Sequence, residues 1–179
     1  QAKRLIGNEP FAVLLPDDVI KAKCGALAQM IQAHRGIGGH MVATMDVPRV
    51  DTSKYGVLDI DHQDGRISHV QGLVEKPRAD IAPSTKAVVG RYILDSAIFD
   101  RLNNLGPGAG GELQLTDAIN ADVASVGVTG YRFEGERFDC GSVQGFVQAT
   151  VAFALDRADL RDDFATFMDE CHKPLRAVA

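Results

Sequence analysis

The 179-residue sequence has no excess of positive charge: 19 Lys and Arg stand against 24 Asp and Glu, a formal net charge of −5. That balance argues against a nucleic-acid binder held by a basic patch. No apolar run approaches the ~18–20 residues needed to span a bilayer. The first ten residues, QAKRLIGNEP, lack the apolar core of a signal peptide. A cytoplasmic protein with no membrane or nucleic-acid partner is expected. Cysteine is scarce: Cys24, Cys140 and Cys171 are an odd number at wide spacing with no CxxC, so neither a disulfide framework nor a zinc knuckle is indicated, and free thiols are expected. The five histidines form no HExxH or other metal-ligand spacing, and no serine sits in a GxSxG elbow. Zinc-protease and serine-hydrolase readings lose their support.

Hydrophobic residues make up 45% and charged ones 24% of the chain, too apolar for disorder and sufficient for a packed core. The length suits one domain, or one large piece of a larger one. Residues 11–15 (FAVLL) are an unbroken apolar run, the pattern of a strand buried on both faces, and stop at Pro16-Asp17-Asp18. Over residues 21–35, Ala26, Leu27, Met30, Ile31 and His34 recur at helical spacing, with Gly36 as the stop. Residues 40–47 read as the next strand, giving the strand–loop–helix–strand order from which parallel sheets with right-handed crossovers are built. Further strands are predicted at 56–60, 66–75 and 86–94, with Asp64-Gly65 turning the first two into a hairpin.

Short helices are predicted at 96–105, capped by Asp95 or Ser96, and at 115–126, with Thr116 near its start; 128–133 reads as a strand. Residues 144–156 and 160–171 are helical in pattern. The architecture expected is α/β with a mixed sheet, residues 1–143 forming the main part and 144–179 a C-terminal helical segment. No internal repeat or low-complexity linker divides the chain. Residue 1 falls directly before a buried strand, so the sheet begun at Phe11 is expected to lack neighbours on one side and the chain to be a fragment.

Asp17-Asp18 follow an apolar strand, a position from which carboxylates point into the crevice at the carboxyl ends of a parallel sheet; a solvated turn is the plain alternative. Asp139, in FDCGS, has a related setting far along the chain. If the two converge, hard oxygen ligands of this kind suit Mg²⁺, which is usually held by one or two carboxylates plus substrate phosphates. Glu75-Lys76-Pro77 ends a predicted strand, and the proline biases Lys76 toward an extended conformation. A carboxylate there can accept hydrogen bonds from sugar hydroxyls and an ammonium can neutralise a phosphate, but a surface ion pair of little worth fits the residues as well. Residues 106–111 (GPGAGG) lack the Gly-Lys-Ser/Thr and the preceding strand of a phosphate loop and read as a surface loop. The run 156–163 (DRADLRDD) reads as a solvated helix face. Phe146, Ala149 and Phe153, then Phe164, Phe167 and Met168, form apolar faces suited to core packing or a subunit interface.

The segments NEPFAVLLPDDVI, YGVLDI, GLVEKPRADIAPSTKAVVGRYIL, GAGGELQLTDAI and RFDCGSVQGFVQAT occur in that order. Through them the chain resembles the bacterial UTP:glucose-1-phosphate uridylyltransferases, or UDP-glucose pyrophosphorylases, from about residue 8 to residue 150. VEKP is shared across sugar-nucleotide pyrophosphorylases; VEKP followed by APS, VVGRYIL and GELQLTDAI points to the uridylyl branch. The resemblance implies a Rossmann-like nucleotidyltransferase fold with a mixed sheet and C-terminal helices. It implies formation of UDP-glucose and pyrophosphate from UTP and glucose 1-phosphate with Mg²⁺, in a homo-oligomer.

At matching positions it implies Asp17, with Asp18 its neighbour, and Asp139 as the metal-binding carboxylates. Glu75 would bind glucose hydroxyls and Lys76 the sugar phosphate. Gly56, beside Tyr55, would bring its backbone close to the sugar, and Val89, Gly90 and Arg91 would line the same pocket. Asp17, Asp139 and Lys76 would carry the catalytic burden, by charge neutralisation and alignment. The family's glycine-rich G-x-G-T-R loop, which wraps the nucleoside triphosphate, has no counterpart in these residues, so a fold incomplete at its N-terminus and inactive alone is expected. Two alternatives remain: a catalytically silent sugar-phosphate-binding or assembly domain, and a thymidylyl or adenylyl pyrophosphorylase.

Overall fold

A computed structural model of the chain describes residues 2–106 and 111–172; most of the GPGAGG segment lies outside them. A short helix α1 (Lys3–Ile6) precedes β1 (Phe11–Leu14) and β2 (Asp18–Lys21), then α2 (Ala26–Ile37), β3 (His40–Asp46), a 3₁₀ turn (Arg49–Lys54), β4 (Gly56–Asp64), β5 (Ile67–Glu75) and β6 (Lys86–Leu94). The remainder runs α3 (Ile98–Asn104), α4 (Leu115–Ala121), β7 (Val128–Arg132), β8 (Glu136–Asp139), α5 (Val143–Asp156) and α6 (Arg161–His172). Among the described residues no helix is long and apolar enough to cross a membrane.

Six strands form one mixed sheet in the order β1-β6-β3-β7-β5-β4, in which β3–β7 is the parallel pair and the others are antiparallel. Period-two alternation along β3 sends Val42 to one face and Met41 and Ala43 to the other. On Val42's side the core contains Leu58, Leu73, Leu94, Ile98 and Ile119, so α3 and α4 cover that face; Met30 of α2 closes the other. The helices therefore stand on both faces and leave the strand ends open for a site.

Four expectations are corrected. The strand at residue 11 is not buried on both faces: Phe11 and Val13 pack against the core on one face while Ala12 and Leu14 on the other are exposed, and among the described residues β1 is an edge strand paired with β6 alone. Nor do β1 and β3 form a simple parallel crossover pair, since β6 lies between them and runs antiparallel to both. Lys21 belongs to β2, so the following helix starts later and runs through Gly36 to Ile37, stopping where Gly38 takes φ 73° and donates its N–H to the His34 carbonyl at 2.8 Å. The helix predicted over 115–126 is also shorter. It ends at Ala121, where the buried Asp122 accepts from Arg101 Nε at 2.5 Å and faces His40 Nε2 at 3.1 Å.

Candidate active site

The β1–β2 turn, the open end of the β4–β5 hairpin, the middle of β6, the start of α4 and the end of β8 enclose a cleft of about 420 Å³. One wall is acidic. Strands β2 and β8 pair antiparallel from Asp18 opposite Asp139 to Lys21 opposite Glu136. The Cys140 N–H continues the ladder to the Asp17 carbonyl at 2.7 Å. Two acids far apart along the chain are thereby brought together. A Cβ built on Gly141 would lie 3.2 Å from Asp139 Oδ1 and 3.4 Å from Asp17 Oδ2, so both carboxylates converge on bare backbone. Both are open to solvent.

Asp18 is used differently. It is buried, accepts the Gly90 N–H on Oδ2 at 2.6 Å and pairs through Oδ1 with Arg137 Nε. A side chain at Gly90 would place Cβ 2.6 Å from Asp18 Oδ2 and 2.6 Å from Leu15 Cβ, which is why glycine stands there. Val89, buried in the core against Met30, and Arg91 do not line the cleft. Arg91 serves the backbone instead. Its guanidinium donates to the carbonyls of Leu15 (2.9 Å), Gly90 (2.8 Å) and Asp18, tying the β1–β2 turn to β6.

The opposite wall is the hairpin end. Gly56 and Glu75 are register partners on β4 and β5. Glu75 Oε2 accepts from Thr116 Oγ1 at 2.7 Å, and a Cβ on Gly56 would come within 3.1 Å of that hydroxyl and 3.2 Å of Glu75 Oε2. Lys76 is not extended, as the following proline would favour, but takes φ 47°, the one non-glycine residue with positive φ among those described. Its N–H donates to the Tyr55 carbonyl at 3.0 Å while Nζ lies 3.8 Å from Glu75 Oε1, with the side chain mostly in solvent and off the cleft lining.

Arg137 spans the two walls. Besides Asp18, it donates to Tyr55 Oη at 3.3 Å, sits 5.6 Å over the Tyr55 ring and approaches Asp139 Oδ2 at 3.8 Å. Burial works against its charge, but Asp18, with Tyr55 and Asp139, outweighs burial and holds the guanidinium above its ordinary pKa. The cleft's field is negative all the same. Burial, followed by the carboxylates of Asp18, Glu75 and Asp17, pushes the Tyr92 phenol up to about 12, so it stays protonated and able to donate. Lys54 also lines the cleft, its ammonium raised in pKa by the hydrogen bond to Asp51 at 2.6 Å.

The residues fit a hard divalent cation. Asp17 and Asp139 offer accessible carboxylate oxygens in a negative field. Among the described residues no cluster of three or more His, Cys, Asp or Glu forms an all-protein cage. That donor set is the one that leaves coordination positions for water and phosphate oxygens. Of the side chains reasoned from sequence, the fold gathers Asp17, Asp18, Tyr55, Gly56, Glu75, Gly90 and Asp139 into one cleft and leaves Lys76, Val89 and Arg91 off its lining. Sequence reasoning missed Arg137, Tyr92, Lys54 and Thr116 as cleft residues. Thr116 had a local signal as a polar residue at a helix start; Arg137 had none.

The chain matches the Nucleotidyl transferase family model over residues 1–155. It is 48% identical over 141 residues to the UTP–glucose-1-phosphate uridylyltransferase of Komagataeibacter xylinus, which takes in 79% of this chain and 50% of that protein. Its fold is similar to a solved UDP-glucose pyrophosphorylase complexed with UDP-glucose, at TM-score 0.82 and 38% identity over 87% of this chain and 60% of that one. It is also similar to a UTP-bound UGPase from Acinetobacter baumannii, at TM-score 0.84 and 34% identity over 94% of this chain and 59% of that one. The chain thus spans between 50% and 60% of the length of these relatives. A family model that takes in the whole sheet, both carboxylate-bearing strands and nearly all of α5 leaves one assignment: this chain belongs to the nucleotidyl transferase family.

Proposed function

We propose that the chain carries the sugar-phosphate and metal part of a UTP:glucose-1-phosphate uridylyltransferase site, within residues 1–143, with α5 and α6 as a helical appendage. The observation that supports this most is the meeting of Asp17 and Asp139 across a cleft from Glu75 and Gly56. Glu75 is a carboxylate with one oxygen committed to Thr116 and the other available to sugar hydroxyls. Lys76, held back over Glu75, supplies a point charge for the phosphate of glucose 1-phosphate. The phosphate oxygen then attacks the α-phosphorus of UTP in line, and pyrophosphate leaves. Two polyanions must meet, so alignment and charge neutralisation are the main demands, and no covalent nucleophile is needed. Asp17 and Asp139 would hold Mg²⁺, which supplies positive charge between the phosphates when bound.

The family resemblance extends the proposal to a cytoplasmic setting and a homo-oligomer; exposed Phe146 and Phe167 on α5 and α6 suit the latter. The test is binding by calorimetry, with Mn²⁺ as a spectroscopic stand-in for Mg²⁺. Asp139→Ala is expected to weaken Mn²⁺ by at least about tenfold while glucose 1-phosphate affinity stays within about twofold. Unchanged Mn²⁺ affinity removes Asp139 from the metal seat, and no sugar-phosphate binding by the unaltered chain overturns the proposal.

A further inference from the structure

Helix α4 is fastened along β5 by two polar bonds one helical turn apart. Asn120 Oδ1 accepts the Leu73 N–H at 2.8 Å, and Thr116 Oγ1 donates to Glu75 Oε2 at 2.7 Å. Thr116 and Asn120 are four apart on one helix face, so both reach β5, Asn120 to the strand's backbone and Thr116 to a side chain. The second ends in the cleft. Glu75 is largely buried, with its side chain 15% exposed, and the bare backbone of Gly56 leaves room for both groups. An ionised carboxylate can only accept, so the hydroxyl proton of Thr116 is committed to Glu75.

We propose that Thr116 is a positioning residue that locks the Glu75 carboxylate in one orientation and, with it, restricts the ligand groups facing these two oxygens to hydroxyl donors. With its proton pointed at Oε2, Thr116 Oγ1 offers the cleft only lone pairs, and so does Glu75 Oε1. The two oxygens present a surface of acceptors that a ligand's hydroxyl hydrogens satisfy and an ether or deoxy position does not. This specificity rests on the sugar-binding reading above; the orientation of Glu75 does not.

Two measurements keep them apart. The first is side-chain order of Glu75 by ¹³C relaxation in the unliganded 179-residue chain, in the unaltered protein, Thr116→Val and Thr116→Ser. Valine keeps the shape and removes the donor; serine restores the donor. Glu75 is expected to loosen in Thr116→Val and return to its original order in Thr116→Ser. The second is UDP-glucose affinity, expected to fall about tenfold in Thr116→Val, the scale of one hydrogen bond to a charged group, and to recover in Thr116→Ser. Glu75 equally ordered in all three proteins, or a serine variant as loose as the valine one, overturns the positioning role. Loosening in the valine variant alone, in a chain that binds no UDP-glucose, upholds the positioning role and rejects the sugar reading instead.

Discussion

The two walls of the cleft are built in opposite ways. The Glu75 wall rests on a local hairpin, with a nine-residue strand on either side of its turn, to which the helix α4 is fastened from farther along the chain. The acidic wall is a two-stranded ribbon of four residues each, whose pairing joins the beginning of the chain to residue 139. A short ribbon closed across so much chain gains few ladder bonds for a large loop-closure entropy, so its stability depends on what its side chains add. Asp18 and Arg137 supply that at its centre. The first wall should tolerate substitutions that the second does not.

The largest expected effect is at that ion pair. Arg137→Met leaves Asp18 buried without its partner and should cost about 3–5 kcal/mol in chemical denaturation. The double variant with Asp18→Asn should recover much of it; a loss no greater than that of a surface arginine would dissolve the contrast between the walls. Next comes Gly90→Ala, whose new methyl meets Asp18 Oδ2 and Leu15 Cβ at 2.6 Å each. Asp18 is held by Arg137 and the Leu15 N–H by the Gly90 carbonyl at 2.9 Å, so neither neighbour gives way cheaply and the change should destabilise by about 2–3 kcal/mol. Gly56→Ala, where the contacts are 3.1 and 3.2 Å, is the matched control on the local wall and should melt closer to the unaltered protein.

The smallest effect concerns the back of the Glu75 wall, where α4 ends at Asp122. Burial opposes the charge of that carboxylate, but Arg101, then His40 and Ser125, outweigh it and hold it below the usual aspartate range. A folded-state pKa below the unfolded one means stabilisation is present above the ordinary value of ~3.9 and lost as pH falls through the folded value. Asp122→Asn should cost about 1–2 kcal/mol at neutral pH and flatten the stability profile below about pH 4. An unchanged acid limb in the variant would show that other carboxylates govern it.

The same contrast explains what could be read in advance. The β4–β5 hairpin and β6 were legible because each declares itself within a few residues: apolar alternation, a Asp64-Gly65 turn with Gly65 at φ 56°, and a β-branched run. Strands β2 (DVIK) and β8 (ERFD) were not, since each mixes charge with apolar residues over four positions and becomes a strand only by pairing with the other. The strand-end settings of Asp17 and Asp139 raised their convergence only as a condition, and the family motifs made it an expectation. Arg137 escaped notice because an arginine in a polar tetrapeptide reads as a surface residue until Asp18 and Tyr55 are placed beside it. Likewise FAVLL announces a strand but not its place at a sheet edge.

From the amino-acid order alone come most element types, the turn at Asp64-Gly65 and the α/β class, because propensity and periodicity act over short stretches; the family motifs add the residues proposed to hold a cation and a sugar phosphate. Folding in three dimensions settles which carboxylate faces the cleft and which is buried in an ion pair, where Lys76 bends back, and that Thr116 holds Glu75. Those outcomes depend on desolvation and on partners that distant segments bring, and neither quantity exists until the chain has closed on itself.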